Sequence, residues 1–352
     1  MPMDWMKLAR GRSFDFRDHT DCGGRVPGSH PMTLVRIAKD WDWPDLLRQT
    51  PGGKGIWDGI QFTTDEVEEC DLLVMLNNRM KHAVHARCPQ GHVWALMQEP
   101  YAKGFTDWMA EGHEAFDRVY TNFLPSSDPK YINSQPAIPW HVNRSFDELT
   151  ACAIPEKTRP LSWIVGNCRD LPGHMKRLSF LRAVQADKNL GIDLYGRAVR
   201  FIEDKWDGLA AYRYSIAAEN TSWPDYWTEK IADCFLTWTI PFYHGCGNLE
   251  QYFPADSFIR IDINRPDEAI AIIKRSLKED DWIRRLPALE EARRRVLYDY
   301  QIFPLLTRLL KAEPVTAQVI SERTVSAYRR STMTKLRRMI YKVQKHYLRM
   351  KA

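Results

Sequence analysis

The stretch YRYSIAAENTSWPDYWTEKIADCFLTWTIPFYHG, residues 212–245, decides the fold of this chain. It opens with a largely apolar run that predicts a buried strand, and this run ends at the polar pair Glu219-Asn220. A loop follows, and apolar residues at helical spacing then predict a helix over residues 227–238. A second apolar run, 239–243, predicts another strand. Strand, helix and strand in this order indicate a parallel α/β unit.

The start of the predicted helix is suited to binding a phosphate group. A helix N-terminus presents unpaired backbone N–H groups and a partial positive charge, and Lys230 adds a full charge there. In an open parallel sheet, ligands lie beyond the carboxyl ends of the strands, which is where this loop stands. On its own, the pair Glu229-Lys230 is more typical of an exposed first turn than of a binding site.

The same alternation extends in both directions from this stretch. A length of 352 residues, with 44% hydrophobic and 27% charged residues, suits two α/β domains. A polar, proline-containing break at 151–160 divides the chain, so we predict domains over 1–150 and 151–312 and a tail over 313–352. Strands are predicted at 32–37, 71–76, 93–97, 118–121, 161–167, 191–195 and 257–262, and helical structure at 172–186 and 266–312.

The tail carries an unusual charge. Nine Lys or Arg residues and no acid lie between residues 325 and 352, so the rest of the chain is near −4 although the net charge is +5. The body is therefore not expected to bind nucleic acid. Apolar residues recur on one face of a predicted helix, which is typical of a helix lying on an anionic membrane surface. The alternative is a solvated or coiled-coil helix that pairs with another subunit. These apolar residues are Met333, Leu336, Ile340, Val343 and Tyr347.

The cysteines and the N-terminus bear on the cellular compartment. Seven cysteines, with no CxxC spacing, predict neither a disulfide framework nor a zinc site and fit a reducing cytosol. The first residues, MPMDWMKLARGR, contain no apolar run that could serve as a signal-peptide core, and no segment predicts a spanning helix. We therefore expect a cytoplasmic protein that is at most peripheral on the inner face of the membrane.

Residues 212–245 resemble the donor-binding motif of glycosyltransferase family 10, the α-1,3/4-fucosyltransferase family, in its bacterial type. That motif has a strand ending in EN, a YxTEK helix start and an apolar strand ending in IPxYxG. Here the parts stand as Glu219-Asn220, YWTEK at 226–230 and IPFYHG at 240–245, and YFPADSFIRIDI at 252–263 is also similar. Ala217-Ala218 and His244 depart from the aromatic residues frequent in the family, which leaves another nucleotide sugar open as the donor.

The resemblance implies a GT-B fold, in which two Rossmann-like domains face each other across a cleft. The donor, GDP-fucose, is then expected in the C-terminal domain and the acceptor in the N-terminal one. Lys230 and Arg177 would neutralise the diphosphate, and Glu229 would accept hydrogen bonds from the ribose. Tyr226 and Asn220 would complete the pocket, while Glu219 would touch the sugar or support the loop.

An inverting sugar transfer needs a carboxylate that takes the proton from the acceptor hydroxyl. Glu99 follows the strand-like run VWALMQ, a position similar to that of a glutamate in the family. The alternative for Glu99 is a role in a turn. The rival bases are His113 and Glu114, which look more like parts of a polar helix.

A metal is not expected to take part. Asp40-Trp41-Asp42 is formally a DxD sequence, which in many sugar transferases binds a divalent cation. It stands in a tryptophan-rich turn far from the donor motif, so we interpret it as a surface or acceptor-site loop. No metal and no other cofactor is predicted.

The resemblance thus implies an inverting transfer of fucose to O3 or O4 of an N-acetylglucosamine or glucose unit in a surface glycan such as lipopolysaccharide. The expected partners are a GDP-sugar, an oligosaccharide and an anionic membrane. A different class of function also stays open, namely a non-catalytic, membrane-peripheral protein whose α/β body recognises a ligand.

Overall fold

The computed structural model of the chain describes residues 32–169, 171–313 and 319–351, with side chains as far as residue 343. The N-terminal segment considered for a signal peptide and Cys22 lie outside the described residues. The side chain of Tyr347 and the basic side chains at 345, 349 and 351 are also outside them.

The first half of the chain forms a seven-stranded sheet in the order β2-β3-β1-β4-β6-β7-β8. Every pair in it is parallel except β2 with β3. All five residues of β4 are buried, because elements cover both faces of the sheet. The four predicted strands of this half are confirmed. One strand of this half, β5, is not part of this sheet. The strands are β1 (Leu34–Ala38), β2 (Ile56–Trp57), β3 (Ile60–Thr63), β4 (Leu72–Leu76), β5 (Val84–Pro89), β6 (Val93–Leu96), β7 (Arg118–Thr121) and β8 (Tyr131–Asn133).

The second half forms a five-stranded, fully parallel sheet in the order β10-β9-β11-β12-β13. Its strands are β9 (Arg159–Ile164), β10 (Ile192–Tyr195), β11 (Tyr212–Ala218), β12 (Ile240–His244) and β13 (Ile259–Arg260). The helices around it are α1 (Phe146–Ala151), α2 (Pro172–Ala186), α3 (Glu229–Leu236), α4 (Pro266–Glu279) and α5 (Trp282–Arg295). Helix α2 has its predicted bounds. Helix α3 begins later than predicted, because Thr228 is its N-cap and the Thr228 hydroxyl accepts a hydrogen bond from the Lys230 N–H.

After α5 the chain passes through a π-helical turn, Val296–Tyr300, and returns to the first sheet. Helix α6 (Ile302–Ala312) buries its apolar side chains in one core with β1, β3, β4 and β6. The rings of Phe303 and Phe62 meet edge to face at 5.0 Å, and Gln301 Nε2 donates to the Gln49 carbonyl at 2.9 Å. Helix α6, which lies within the bounds predicted for the second domain, therefore packs on the first sheet. The domain boundaries at 150 and 312 stay predictions.

The tail adds a strand and a helix. Strand β14 (Ile320–Val325) pairs antiparallel with β5, and helix α7 (Thr332–Lys351) follows it. Four apolar side chains of α7 from the predicted face are more than 45% exposed: Met333, Leu336, Ile340 and Val343. Over the described ranges, none of the helices combines the length and the apolar character needed to cross a membrane.

The two sheets face each other across a cleft, which confirms the predicted arrangement of two α/β units. Both sheets direct the carboxyl ends of parallel strands toward this cleft, because the residues that line it follow β1, β4, β6 and β11. In sheets of this kind, ligands bind at that edge. The fold therefore brings the loops of both halves to one place.

Candidate active site

A cavity of about 330 Å³ lies in the cleft between the two sheets. The first sheet contributes Asp40, Asn77 and Glu99, which follow β1, β4 and β6. The second sheet contributes Asn220, which follows β11, and the first turn of α3. The predicted base, Glu99, and four of the six residues predicted for the donor therefore line one cavity, although they are far apart in the sequence; the four are Asn220, Tyr226, Glu229 and Lys230.

Lys230 lies at the start of α3 among acceptors from its own loop. Its Nζ lies 3.2 Å from a Glu219 carboxylate oxygen and 3.0 Å from the Thr228 hydroxyl. Burial alone would lower the pKa of Lys230, but Glu219 and Glu229 hold it above its ordinary value. The ammonium is therefore charged at neutral pH and about a quarter of the side chain stays open.

Glu219 is a support rather than a wall of the cavity. Its side chain is fully buried, and its carboxylate accepts hydrogen bonds from the Thr228 N–H and hydroxyl, both at 2.9 Å. These bonds leave the carboxylate turned toward Thr228 and Lys230. Of the two alternatives for Glu219, the contacts favour supporting the loop.

Glu229 lies between two lysines. Its Oε1 is 3.2 Å from Lys205 Nζ and 3.4 Å from Lys230 Nζ. Burial would raise the pKa of Glu229, but the two lysines hold it well below its usual range, so Glu229 is an acceptor at any ordinary pH. His141 Nδ1 lies 3.8 Å away and is neutral, because burial and Lys205 lower the pKa of His141 to about 3.

Lys205 is a further charged residue of the site, which the sequence does not predict. Its Nζ also lies 3.1 Å from Asp233, whose other carboxylate oxygen accepts the backbone N–H of His141 at 2.7 Å. Lys205 therefore holds Glu229 in place and joins α3 to the chain that enters from the first sheet. It stands in a short 3₁₀ turn, Lys205–Gly208, and nothing in the local pattern marks it as part of a site.

We expect Lys205→Met to lower the affinity for GDP about tenfold and the free energy of unfolding by about 3 kcal/mol. The change leaves two buried carboxylates without their shared cation, which is costly. Calorimetric titration with GDP and urea unfolding measure the two effects. The matched control Lys278→Met, on the exposed side of α4, should change neither. Unaltered GDP affinity in Lys205→Met would show that Lys205 does not orient Glu229.

Tyr226 and Asn220 complete the second-sheet side of the cavity. The Tyr226 hydroxyl lies 3.4 Å from Asn220 Oδ1, and the Tyr226 ring is buried. Helix α2 abuts this loop so closely that a Cβ on Gly173 would lie 1.7 Å from the Asn220 carbonyl oxygen. Only glycine allows that approach, which brings α2 to the loop after β11.

Arg177 on α2 does not line the large cavity but lies in an adjoining pocket of about 30 Å³, which Lys230 also lines. It is 8% exposed, and its Nη1 donates to the Ala218 carbonyl at 3.3 Å. Burial lowers the pKa of Arg177, and Glu219 opposes this effect. Its Nε has no hydrogen-bond partner among the described residues. A buried guanidinium N–H without an acceptor is costly, so the site favours an anion.

Glu99 stands at the opposite side of the cavity. The chain before it is fixed, because the Gln98 N–H donates to Asn77 Oδ1 at 2.8 Å and Gln98 Nε2 donates to the Pro136 carbonyl at 3.2 Å. Glu99 itself is exposed to the cavity. The surrounding protein nevertheless raises the pKa of Glu99 by desolvation, and Lys230 opposes the rise.

The rival bases do not reach the cavity. His113 is buried, with Nε2 2.8 Å from the Trp108 carbonyl and Nδ1 3.3 Å from the Tyr131 hydroxyl. Glu114 is exposed and does not line the cavity.

Of the formal DxD pair, Asp40 lines the cavity and Asp42 does not. In the described ranges no group of three His, Cys, Asp or Glu residues could hold a metal ion.

An aromatic wall on the first-sheet side of the cavity was only partly foreseen. The tryptophan-rich turn interpreted as an acceptor-site loop does line the cavity through Trp41 and Trp43. Trp108 and Arg79 complete it, with the Arg79 guanidinium 5.1 Å from the Trp108 ring centre. No pattern in the sequence marks Trp108 or Arg79 as part of a site. Flat aromatic faces beside polar groups suit the binding of a polar ligand with apolar faces.

Several known proteins are similar to this chain in sequence. The family model "Glycosyltransferase family 10 (fucosyltransferase) C-term" matches residues 154–283. The human protein named 4-galactosyl-N-acetylglucosaminide 3-alpha-L-fucosyltransferase FUT6 is 28% identical over 282 residues, which cover 73% of this chain and 74% of the human protein. The mouse protein 4-galactosyl-N-acetylglucosaminide 3-alpha-L-fucosyltransferase 9 is 31% identical over 127 residues, about a third of each chain.

Two solved structures are also similar. A crystal structure of an α1,3-fucosyltransferase with GDP-fucose is 15% identical, with a TM-score of 0.45, and the match covers 80% of this chain and 95% of that one. A crystal structure of α1,3-fucosyltransferase without a stated ligand is 16% identical, with a TM-score of 0.48, 88% coverage of this chain and 96% of that one. The family match and the curated relatives together indicate an enzyme, a glycosyltransferase, whose residues 154–283 are similar to the C-terminal part of the family 10 fucosyltransferases.

Proposed function

We propose that this enzyme transfers fucose from GDP-fucose to a hydroxyl group of a glycan, with inversion at the anomeric carbon and without a metal. The observation that carries the proposal is the cavity lined by Lys230 and Glu229 on one side and Glu99 on the other. A nucleotide-sugar transferase needs a cationic grip on the diphosphate and a base for the acceptor, and these groups supply both.

In this proposal Lys230 and Arg177 hold the diphosphate. Lys230 lines both the large cavity and the small pocket of Arg177, so one anion can contact both side chains. Glu229 accepts hydrogen bonds from the ribose hydroxyls, Tyr226 and Asn220 close the pocket, and Glu219 keeps Thr228 and Lys230 in place. The two cations stabilise the charge that develops on the leaving diphosphate, the role that a metal has in other transferases.

The proposed chemical step is a single displacement. Glu99 takes the proton of the acceptor hydroxyl. The oxygen of that hydroxyl then attacks the anomeric carbon from the face opposite GDP. The bond between that carbon and the β-phosphate oxygen breaks, and its electron pair leaves with GDP. A raised pKa makes Glu99 a stronger base than a free carboxylate, which favours this role. The product is an α-linked fucoside.

The acceptor in this proposal is O3 or O4 of an N-acetylglucosamine or glucose unit in a surface glycan such as a bacterial lipopolysaccharide. The wall of Trp41, Trp43 and Trp108 supports a sugar as the ligand of the first-sheet side, because sugar rings pack their apolar faces on aromatic rings. The acceptor-binding domain would then be residues 1–150 and the donor-binding domain residues 151–312.

We also propose that α7 lies on an anionic membrane surface on the cytoplasmic side. Its exposed apolar side chains support this, and so do Arg338 and Lys342 beside them. Pairing of α7 with a second subunit is the alternative. Flotation with phosphatidylglycerol vesicles, compared with phosphatidylcholine vesicles, separates membrane binding from subunit pairing. A membrane-binding α7 should float with the anionic phosphatidylglycerol vesicles only, because these attract cations.

The experiment that tests the function is GDP release from GDP-fucose with EDTA present, across lactosamine-type and lipopolysaccharide-type acceptors. Acceptor-dependent release is the expected result. Release from another nucleotide sugar but not from GDP-fucose would favour the alternative donor, to which Ala217, Ala218 and His244 point. Binding of GDP without release from any donor would favour a non-catalytic protein.

A further inference from the structure

In the part of the tail that the structure describes, the strand and the start of the helix pack on the first half of the molecule. Strand β14 pairs with β5 over six residues, and Arg323 forms an ion pair with Asp117 at 3.0 Å. The chain then runs past the segment between β6 and β7, which carries Glu99 and Trp108. The start of α7 is therefore a neighbour of the first-sheet side of the cavity.

Glu111 connects the start of α7 with the first-sheet side of the cavity. Its carboxylate accepts hydrogen bonds from the hydroxyls of Tyr328 at 2.6 Å, Thr334 at 2.7 Å and Ser331 at 3.1 Å. Burial would raise the pKa of Glu111, but the bonds from Tyr328 and Thr334 hold it below its ordinary value. The carboxylate is thus charged, and three hydroxyls from the tail satisfy it.

From Glu111 the link continues to the cavity. Asn78 Nδ2 donates to the Glu111 carbonyl at 2.9 Å and to the Gly112 carbonyl at 3.2 Å. Asn78 stands between Asn77 and Arg79, which both line the cavity. Glu111 does not itself line the cavity, but Asn78 connects it to the neighbouring Arg79, which does.

The backbone of this segment is shaped for the contact with the tail. Gly112 has a φ of +79°, and a Cβ there would lie 3.0 Å from the Tyr328 ring. Tyr341 of α7 packs over Gly104, at the other end of the segment. Residues 104–112 thus touch the tail at both ends and through Glu111.

We propose that Glu111 is a positioning residue, which ties the start of α7 to the segment carrying Trp108 and thereby sets the affinity for the acceptor. This inference rests on the proposed function, because it takes the first-sheet side of the cavity as the acceptor side. Coupling of this kind is reciprocal, so a bound acceptor also holds the start of α7 more firmly.

The test uses the full chain with Glu111→Ala and the conservative Glu111→Gln, and N-acetyllactosamine as the acceptor. In Glu111→Ala we expect the acceptor KM to rise about tenfold, which lies in the usual range of coupling between two sites. The KM for GDP-fucose should change less than twofold, and Glu111→Gln should recover most of the loss. The control Glu279→Ala, at the exposed end of α4, should leave both KM values unchanged.

Hydrogen exchange gives a second readout that does not depend on turnover. Amides 104–112 and 328–338 should exchange faster in Glu111→Ala, and saturating acceptor should slow exchange at 328–338 in the wild type only. An acceptor KM that stays at the wild-type value, or one that rises together with the donor KM, would overturn the inference. Failure of the proposed function would look different, since the wild type would then release no GDP.

Discussion

Glu99→Gln is expected to lower kcat/KM for fucose transfer by about 10²–10⁴-fold, the usual contribution of a positioned general base. Glutamine keeps the size and the polar contacts of the side chain but cannot take the acceptor proton. Because Glu99 lies on the first-sheet side of the cavity, the affinity for GDP should change less than twofold. Steady-state GDP release and calorimetric titration with GDP measure the two quantities.

The matched control for this variant is Glu114→Gln. Glu114 is exposed, belongs to the same half of the chain and lies outside the cavity, so its loss should leave transfer unchanged. Retention of more than a tenth of the wild-type kcat/KM by Glu99→Gln would place the base elsewhere.

The pH dependence of transfer follows from the same residue. The active form of Glu99 is the carboxylate, and desolvation raises its pKa, so kcat/KM should rise with pH through a midpoint above the value of about 4.3 for a free glutamate. This acid limb should be missing from the residual activity of Glu99→Gln. A limb that survives in the variant would belong to another group.

Lys230→Met is expected to weaken GDP binding about 30- to 150-fold, since a charged hydrogen bond to phosphate contributes about 2–3 kcal/mol. It should also lower the free energy of unfolding by about 3–5 kcal/mol, because Glu219 is then left as an unpaired buried charge. Urea unfolding and calorimetric titration with GDP separate the two losses.

A double variant, Lys230→Met with Glu219→Gln, tells the roles of Lys230 apart. Removing both charges should restore most of the stability, because no unpaired carboxylate remains. GDP affinity should stay low, because the cation is still absent. If the double variant regains GDP affinity together with stability, then Lys230 supports the loop and does not bind the diphosphate.

The sequence predicted best what is local. Helix α2, strand β11 and the loop with Glu219, Thr228 and Lys230 follow from runs of neighbouring residues, and the structure has them where the patterns place them. Strand β14 was not foreseen, because its residues ISERTV are polar and mostly exposed, so it lacks the apolar pattern of a strand.

The rest of the site depends on contacts between residues distant in sequence. Lys205 reaches Glu229 and Asp233 across more than twenty positions, and Glu111 reaches Tyr328 across more than two hundred. No local pattern records such a pair. Arg79 and Trp108 likewise follow strands in segments whose sequences show no pattern of a binding site. Only the folding of the first sheet brings these segments together.

The return of α6 to the first sheet constrains how the protein forms during synthesis. The strands from β1 to β7 leave the ribosome early, yet one of their apolar faces is covered by Phe303, Leu306 and Leu310. That face stays bare until nearly the whole chain has emerged, and bare sheet faces attract other chains. We expect nascent chains that stop before residue 302 to bind holding chaperones, and completed chains to be released from them.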